Sequence, residues 1–407
     1  MTSAPVPVHA ASILLAMAVV FAIPYAVWRM ARTEYVAPLL VVQILTGLAL
    51  GPGMLGNLSP ALYATLFPAP VLQVLGGLAL WGVVLFIWMA GIELDLRQAW
   101  GFRFESGITA GLCLGVPLLF GCAVGLLMAL GPGWAGSGAS QWQFVLGIGM
   151  ACAVTALPVL ILVLEKLDLL QHPIGQRVLR YASLDDVAIW VVLAAILLDW
   201  EALGRQALFL AGFGLAATVV RATLPRLREA DRWYLGLVLL IASALAAEWA
   251  GLHYMVGAFL AGVIVDKAWL GAAQLHQLRQ AVLLVLMPIY LLMTGLRTQW
   301  GLGQPAVLVA AAGLVLAAVG GKLLACRLAG KLLGWSAKEA SVIGWLLQTK
   351  GLVEIVFATI LLDRRIISAE TFTALLLMAV VSTTLAIPLV RRRLGADGYA
   401  IRAKKST

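Results

Sequence analysis

The sequence predicts an all-α polytopic membrane protein with about 13 transmembrane helices. The prediction rests on composition, on the length of the apolar runs and on the placement of charge. Of the 407 residues, 62% are hydrophobic and 12% are charged, whereas a soluble domain carries about 25% charged residues. Apolar runs of about 20 residues, the length that crosses a hydrocarbon core, recur along the whole chain. Backbone amides in lipid must pair within their own segment, so these runs are expected to be helices.

The predicted spans follow the apolar runs in order. The gap between the eighth and ninth of them, around residues 249–253, is the shortest. The spans lie near residues 9–30, 37–57, 70–92, 106–131, 141–164, 178–199, 205–222, 233–250, 252–266, 279–296, 305–329, 338–361 and 369–390.

Positive charge alternates between the loops that join these spans. The gaps after odd-numbered spans carry most of the Lys and Arg, whereas the gaps 57–68 and 131–143 carry none. Cytoplasmic loops hold the excess of Lys and Arg. The pattern therefore predicts a protein of the bacterial inner membrane with its N-terminus outside and its C-terminus in the cytoplasm. No Lys or Arg precedes the first apolar run, so a retained helix is expected there rather than a cleaved signal peptide.

Almost the whole chain is assigned to one membrane domain. We expect a transmembrane domain over residues 1–393 and a short basic cytoplasmic tail over 394–407, which is too short for a nucleotide-binding domain. The sequence contains no Walker A motif, no HExxH and no GxGxxG that follows a predicted strand. Neither a cofactor nor an enzymatic activity is therefore expected. The net charge of +9 is assigned to cytoplasmic loops and not to a nucleic-acid partner.

The cysteines and histidines give no metal-site pattern. The four histidines are scattered, and no CxxC pair occurs. The cysteines all lie inside apolar runs, where they are interpreted as small core residues rather than as a disulfide or metal site. They are Cys113, Cys122, Cys152 and Cys326.

Two adjacent acids lie inside the sixth predicted span. Asp185 and Asp186 follow the cytoplasmic Arg180 by roughly one to two helical turns. Ionisable groups at membrane depth are costly and usually mark ion or proton paths. Adjacent helical residues point about 100° apart, so one carboxylate can face a cavity while the other faces a neighbouring helix. The alternative is a charge pair near the start of a helix, stabilised by the helix dipole.

Lys322 lies midway through the eleventh span, beside two glycines that let another helix come close. A buried ammonium needs an anionic partner or loses its proton. Asp185 or Asp186 is the natural partner. The alternative is that the Lys322 side chain extends to the cytoplasmic surface, where Arg327 also lies.

The fifth and twelfth spans contain interruptions in corresponding positions. In the fifth, Pro158 follows Thr155 and frees a helix carbonyl. Paired broken helices in two halves are the best sequence indication of a transporter's midplane site, where half-helix ends and freed carbonyls can bind ions. The alternative is a proline kink and an unrelated ion pair at i, i+4. The polar residues of the twelfth span are Gln348, Thr349, Lys350 and Glu354.

Five short segments, in the same order along the chain, resemble the monovalent cation:proton antiporter-2 family. The last of them is similar to the plant cation/proton exchanger branch. Together they extend over nearly the whole membrane region. In one place the sequence departs from the family, since Ala153 stands where many members carry a Ser. The segments are 48–56 (LALGPGMLG), 91–95 (GIELD), 183–187 (SLDDV), 257–262 (GAFLAG) and 350–354 (KGLVE).

The resemblance implies a sodium/proton antiporter-like fold with inverted repeats. A six-helix core domain would contain two crossing broken helices, and a dimerisation domain would form a homodimer. Asp186 matches the acid that binds the cation or proton, Asp185 the acid that pairs with the core lysine, and Lys322 that lysine. Asp186 and Thr155 would contact the monovalent cation, and the second crossover helix would carry Gln348 to Glu354.

The implied activity is exchange of Na+ or K+ for protons across a lipid bilayer by alternating access. An Asp–Asp pair is typical of electrogenic members. A sodium-coupled organic solute symporter can share the fold and remains the alternative. An intramembrane aspartyl protease needs two acids from separate helices, unlike Asp185 and Asp186. A passive channel suits a paired ion-binding acid less well.

Overall fold

The computed structural model describes residues 10–30, 39–93, 103–170, 172–197, 203–296 and 305–394. These residues are almost entirely helical. Asp95 of the GIELD segment and the predicted tail beyond Leu394 lie outside the described residues.

The helices follow the apolar runs. The first ten are α1 (Ala10–Met30), α2 (Leu39–Leu50), α3 (Leu55–Leu58), α4 (Pro60–Leu66), α5 (Ala69–Glu93), α6 (Arg103–Ala129), α7 (Gln141–Ala153), α8 (Leu157–Lys166), α9 (Pro173–Ile196) and α10 (Leu203–Thr223). The others are α11 (Glu229–Trp249), α12 (Tyr254–Ile264), α13 (Lys267–Leu270), α14 (Ala272–Ala281), α15 (Met287–Leu296), α16 (Pro305–Leu333), α17 (Ala337–Leu346), α18 (Leu352–Asp363) and α19 (Ala369–Leu394). One π-helical turn, Val282–Leu286, joins α14 to α15.

Within the described part of the chain, nine helical segments are long and apolar enough to cross a membrane. They are Ala10–Met30, Leu39–Leu58, Ala69–Glu93, Gly107–Ala129, Leu203–Arg226, Glu229–Trp249, Ala273–Leu296, Pro305–Leu333 and Ala369–Leu394. The other predicted spans coincide with the short α12, with the pairs α7–α8 and α17–α18, and with α9, which is 24 residues long and includes Asp185 and Asp186. The polytopic membrane class is therefore confirmed, and the number of crossings stays a prediction.

The chain divides into two compact units. Of the described residues, unit 1 takes 10–23, 46–93, 190–197 and 203–296, and unit 2 takes 24–30, 39–45, 103–170, 172–189 and 305–394. Unit 2 contains α6 to α8 with most of α9, and then α16 to α19. Each of these two runs consists of a long helix, an interrupted helix and another long helix.

Unit 1 is held together by close helix contacts at glycines. A Cβ built on Gly91 of α5 would lie 2.9 Å from the Cα of Gly262 on α12, and one built on Gly295 of α15 would lie 2.6 Å from the Cα of Gly47 on α2. Small residues let helix backbones touch in this way. Two of the family-like segments, GIELD and GAFLAG, therefore meet through their glycines.

In unit 2, a loop–loop contact joins the two runs of helices. The loop after α6 pairs with the loop after α18 through a bridge between Ala135 and Ile367. The Thr371 hydroxyl donates to the Trp134 carbonyl at 2.7 Å, and the Ser368 amide donates to the same carbonyl at 3.0 Å. Elsewhere in unit 2, α16 packs against α6, α17 and α19.

Candidate functional site

The two predicted interruptions meet in the structure. α7 ends at Ala153 and α8 begins at Leu157, while α17 ends at Leu346 and α18 begins at Leu352. The Ala156 amide donates to the Thr349 carbonyl at 2.8 Å. The two non-helical segments are therefore hydrogen-bonded to each other where they cross.

Proline and hydroxyl groups define the first break. Pro158 lies in the first turn of α8, where a residue needs no amide hydrogen, so it begins a new helix and does not kink a continuous one. The Thr155 hydroxyl donates to the Leu347 carbonyl at 2.9 Å. A hydroxyl that donates in this way keeps oxygen lone pairs that can accept a hydrogen bond or ligate a cation.

Lys350 occupies the carboxyl end of α7. Its ammonium donates to the carbonyls of Ala151 at 2.7 Å, Cys152 at 3.1 Å and Val154 at 3.0 Å. The last carbonyls of a helix have no partner within the helix, and they carry the negative end of its dipole. The freed carbonyls that the sequence suggested as ion ligands are therefore bound by a lysine of the protein itself. Its i, i+4 partner Glu354 lies at 3.6 Å, and both side chains are buried.

Thr383 of α19 supports the second break, and sequence analysis missed it. Its hydroxyl accepts from the Lys350 amide at 2.9 Å and donates to the Lys350 carbonyl at 2.8 Å. Both backbone groups of Lys350 are thereby satisfied outside any helix. The run of hydroxyl residues 382–384 in an otherwise apolar helix is the available sequence signal, but Ser382 and Thr384 donate to carbonyls of their own helix.

Gln348 joins the second break to α16. Its side-chain amide donates to the carbonyls of Ala318 at 3.0 Å and Val319 at 3.4 Å. Ala318 lies one helical turn before Lys322. The second break therefore contacts α16 one helical turn from the buried Lys322.

Lys322 and Asp185 form a buried ion pair. The distance from Lys322 Nζ to Asp185 Oδ2 is 2.9 Å, and the side chains are 1% and 2% exposed. The predicted contact is present, and the Lys322 side chain does not extend to the surface. The adjacent Asp186 is 8% exposed. Lys322 therefore pairs with the less exposed of the two acids.

The chain matches the family described as sodium/hydrogen exchanger, transmembrane, over residues 15–392. The chain belongs to this family. It is 31% identical over 370 residues to Na(+)/H(+) antiporter NhaS4 of Synechocystis, an alignment that covers 87% of this chain and 90% of that protein. It is 32% identical over 383 residues to cation/H(+) antiporter 17 of Arabidopsis thaliana, covering 87% of this chain and 45% of that protein.

A further relative is K(+)/H(+) antiporter 1 of Saccharomyces cerevisiae, 29% identical over 398 residues and covering 91% of this chain and 45% of that protein. The chain thus spans about half the length of the plant and yeast relatives and nearly all of the cyanobacterial one. All three relatives are named as cation/proton antiporters and none as an enzyme.

A second polar cluster of this exchanger-family chain lies where α6, α9 and α17 begin, and sequence analysis missed it. Arg177 donates to Glu105 at 2.8 Å and to Glu339 at 2.5 Å. Its guanidinium lies 4.6 Å from the centre of the Trp335 ring. The Tyr181 hydroxyl donates to Glu105 at 2.6 Å. We call these five residues the Arg177 cluster. The partners are 72 and 162 residues from Arg177, so no local pattern reveals them.

Charge balance in the Arg177 cluster favours an ionised Glu105. Burial raises the pKa of this carboxyl, but the hydrogen bond from Tyr181 and the charges of Arg177 and Arg180 outweigh that effect. The resulting pKa of Glu105 lies below its usual value. The cluster therefore keeps its negative charge at neutral pH.

Proposed function

We propose that the chain is a secondary active antiporter that exchanges Na+ or K+ for protons across a bilayer by alternating access. The buried pair of Lys322 and Asp185, with Asp186 beside it, is the observation that carries the proposal. Family membership supports it, as do the printed names of the three relatives. The shared name of those relatives is antiporter, so the sodium-coupled symporter that the sequence left open is not favoured.

Competition at Asp186 is the proposed chemical basis of exchange. A carboxylate can hold a proton or a metal cation but not both, so binding of one releases the other. Asp186 is the more exposed of the two acids, and Asp185 is already bound to an ammonium. Thr155 is proposed as a neutral oxygen ligand of the cation, since its hydroxyl retains acceptor capacity. The transported cation is substrate and not a resident cofactor.

Lys350 is proposed to keep the transported ion away from the carboxyl end of α7. Its ammonium already neutralises that helix end and binds three carbonyls. A cation entering the site would therefore find its strongest negative charge at the aspartates. Glu354 balances Lys350, so the crossing carries little net charge of its own.

Unit 2 is proposed as the transport core and unit 1 as the dimerisation domain. Unit 2 contains both broken helices, both aspartates and Lys322, which are all the site residues named from the sequence. We propose a homodimer in a bacterial inner membrane, with the N-terminus outside, the C-terminus in the cytoplasm, a membrane domain over 1–393 and a cytoplasmic tail over 394–407. Alternating charge in the loops supports this orientation.

Exchange in proteoliposomes tests the proposal. Vesicles with a trapped pH-sensitive dye should report proton movement when Na+ or K+ is added, with Li+ as a third cation. Asp186→Asn should abolish the signal, because the amide keeps the size of the side chain but cannot titrate. Asp168→Asn is a matched control: Asp168 is an exposed residue in the left-handed region (φ 56°), where Asn is tolerated. Undiminished exchange by Asp186→Asn would contradict the mechanism.

We further propose that exchange is electrogenic. Two acids and one lysine can release more than one proton for each monovalent cation, because binding at Asp186 can also free a proton held on Lys322. An imposed membrane potential should then drive exchange without any chemical gradient, and its sign should set the direction. A cycle that ignores voltage would mean one proton per cation and a permanent Lys322–Asp185 pair.

A further inference from the structure

Cys113 on α6 and Cys326 on α16 face each other inside unit 2. Their Sγ atoms are 3.2 Å apart. The two residues are 1% and 0% exposed, and both are free thiols. A disulfide bond requires an S–S distance of about 2.05 Å. The two sulfurs are therefore about 1 Å from bonding distance.

The helix packing holds the two sulfurs in place. α6 and α16 run antiparallel, because Pro117 meets Gly321 while Val124, later on α6, meets Gly313, earlier on α16. A Cβ built on Gly321 would lie 2.6 Å from the Cα of Pro117, so the two backbones are in contact. The cysteines meet at the same interface. Their proximity is thus set by two packed helices and not by a loop.

We propose that Cys113 and Cys326 are a redox-modification site at which a hydroperoxide forms a disulfide between α6 and α16. One thiol gives its sulfur electron pair to a peroxide oxygen, the O–O bond breaks, and sulfenic acid and water result. The second sulfur then attacks the sulfenic sulfur and expels the hydroxyl as a second water. Two thiols and one hydrogen peroxide thus give one disulfide and two waters.

The bond would act on the ion pair through α16. Cys326 lies one turn after Lys322, and both are buried on this helix. The contact between Gly321 and Pro117 leaves no room for the helices to approach, so sulfur bonding must shift the turn that contains Cys326. That shift reaches Lys322, whose ammonium is held 2.9 Å from Asp185. The bond is therefore expected to disturb the pair and to be reversible by thiols.

Mass spectrometry tests the bond itself. Purified protein is treated with hydrogen peroxide, denatured, labelled with a maleimide and digested. We expect a linked peptide containing Cys113 and Cys326 and a loss of two labelling sites. Cys113→Ala and Cys326→Ser should abolish this loss, and Cys122→Ser with Cys152→Ser should keep it. Absence of a linked peptide, or a link through Cys122 or Cys152, would overturn the proposal.

The effect on transport rests on the proposed function and is measured separately. Oxidised protein in proteoliposomes should exchange cations up to about a hundredfold more slowly, because a misplacement of about 1 Å at a functional group can cost a factor of this size. Dithiothreitol should restore the rate, and Cys113→Ala should be insensitive to peroxide. Unchanged exchange by the linked protein would overturn the coupling to Lys322. If the reduced protein exchanges no cation, the proposed function fails, while the linked peptide still decides the modification site.

Discussion

Unit 2 buries two lysines equally, yet it gives them different partners. Lys322 and Lys350 are each 1% exposed. Lys322 has a carboxylate at 2.9 Å, whereas Lys350 has three backbone carbonyls within 3.1 Å and a carboxylate at 3.6 Å. The nearest group to Lys322 is a carboxylate, whose charge can change during a cycle, whereas the nearest groups to Lys350 are carbonyls, whose charge cannot. We therefore propose exchange chemistry for Lys322 and support of the crossing helices for Lys350.

Replacing Lys350 should give the largest loss of stability. Lys350→Met leaves Glu354 and the carbonyl end of α7 without their cation, and removing one member of a buried pair costs roughly 3–5 kcal/mol. The melting temperature in detergent should fall far more than for Lys338→Met, which alters an exposed lysine on α17. Protein that remains folded should still respond to membrane potential, since Lys322 and both aspartates are unchanged. Loss of the voltage response in folded Lys350→Met protein would contradict the division of roles between the two lysines.

Lys322→Met should be second in size for stability, and of the two lysine variants it should change transport more. We expect a loss near the lower end of that range, about 3 kcal/mol, because Lys322 has one carboxylate partner whereas Lys350 also binds three carbonyls. Exchange should become insensitive to membrane potential or stop. Lys331→Met is the matched control on the same helix, since that lysine is exposed. If Lys322→Met and Lys331→Met have the same melting temperature and the same exchange rate, Lys322 contributes no more than an exposed lysine.

Thr383→Val tests whether the Thr383 hydroxyl stabilises the non-helical segment around Lys350. The variant removes two hydrogen bonds to Lys350 and leaves its backbone groups unsatisfied, a change of about 1–3 kcal/mol in the free energy of unfolding. Thr384→Val is the neighbouring control, because its hydroxyl donates only locally, to the Val380 carbonyl of its own helix. Amide hydrogen exchange at 349–352 should rise in the first variant. Equal protection from amide hydrogen exchange in the two variants would show that Thr383 does not stabilise the second break.

The Arg177 cluster should give the smallest effect, and one that depends on pH. Partly exposed ion pairs contribute about 0–1 kcal/mol. Because folding lowers the pKa of Glu105 below its usual 4.5, the stabilisation is present above that pH and is lost as the pH falls through the lowered pKa. The melting temperatures of the wild type and Glu105→Gln should therefore converge in acid. Glu165→Gln, at an exposed position, should follow the wild type throughout.

Sequence could predict the positions of the breaks and the main ion pair. Charges such as Lys322 and Asp185 stand out in apolar helices, and because a buried charge needs a partner of opposite sign, each predicts the other. Pro158 marks the start of a helix. It could not predict the partners of Lys350, since backbone carbonyls have no signature of their own in the sequence. Thr383 was missed because hydroxyl residues are common in membrane helices, where they can bond within their own helix.

The separation of Asp185 from Lys322 has a consequence for how the protein is made. The two residues are 137 positions apart in the chain. At synthesis rates of about 5–20 residues per second, Asp185 is made roughly 7 to 27 seconds before its partner exists. During that interval the carboxyl group of Asp185 on the nascent α9 lacks the ammonium with which it pairs in the finished protein. Unit 2 therefore cannot reach its final packing until the second run of helices has been made. Until then, the helices of the first run lie in the bilayer without the helices against which they pack.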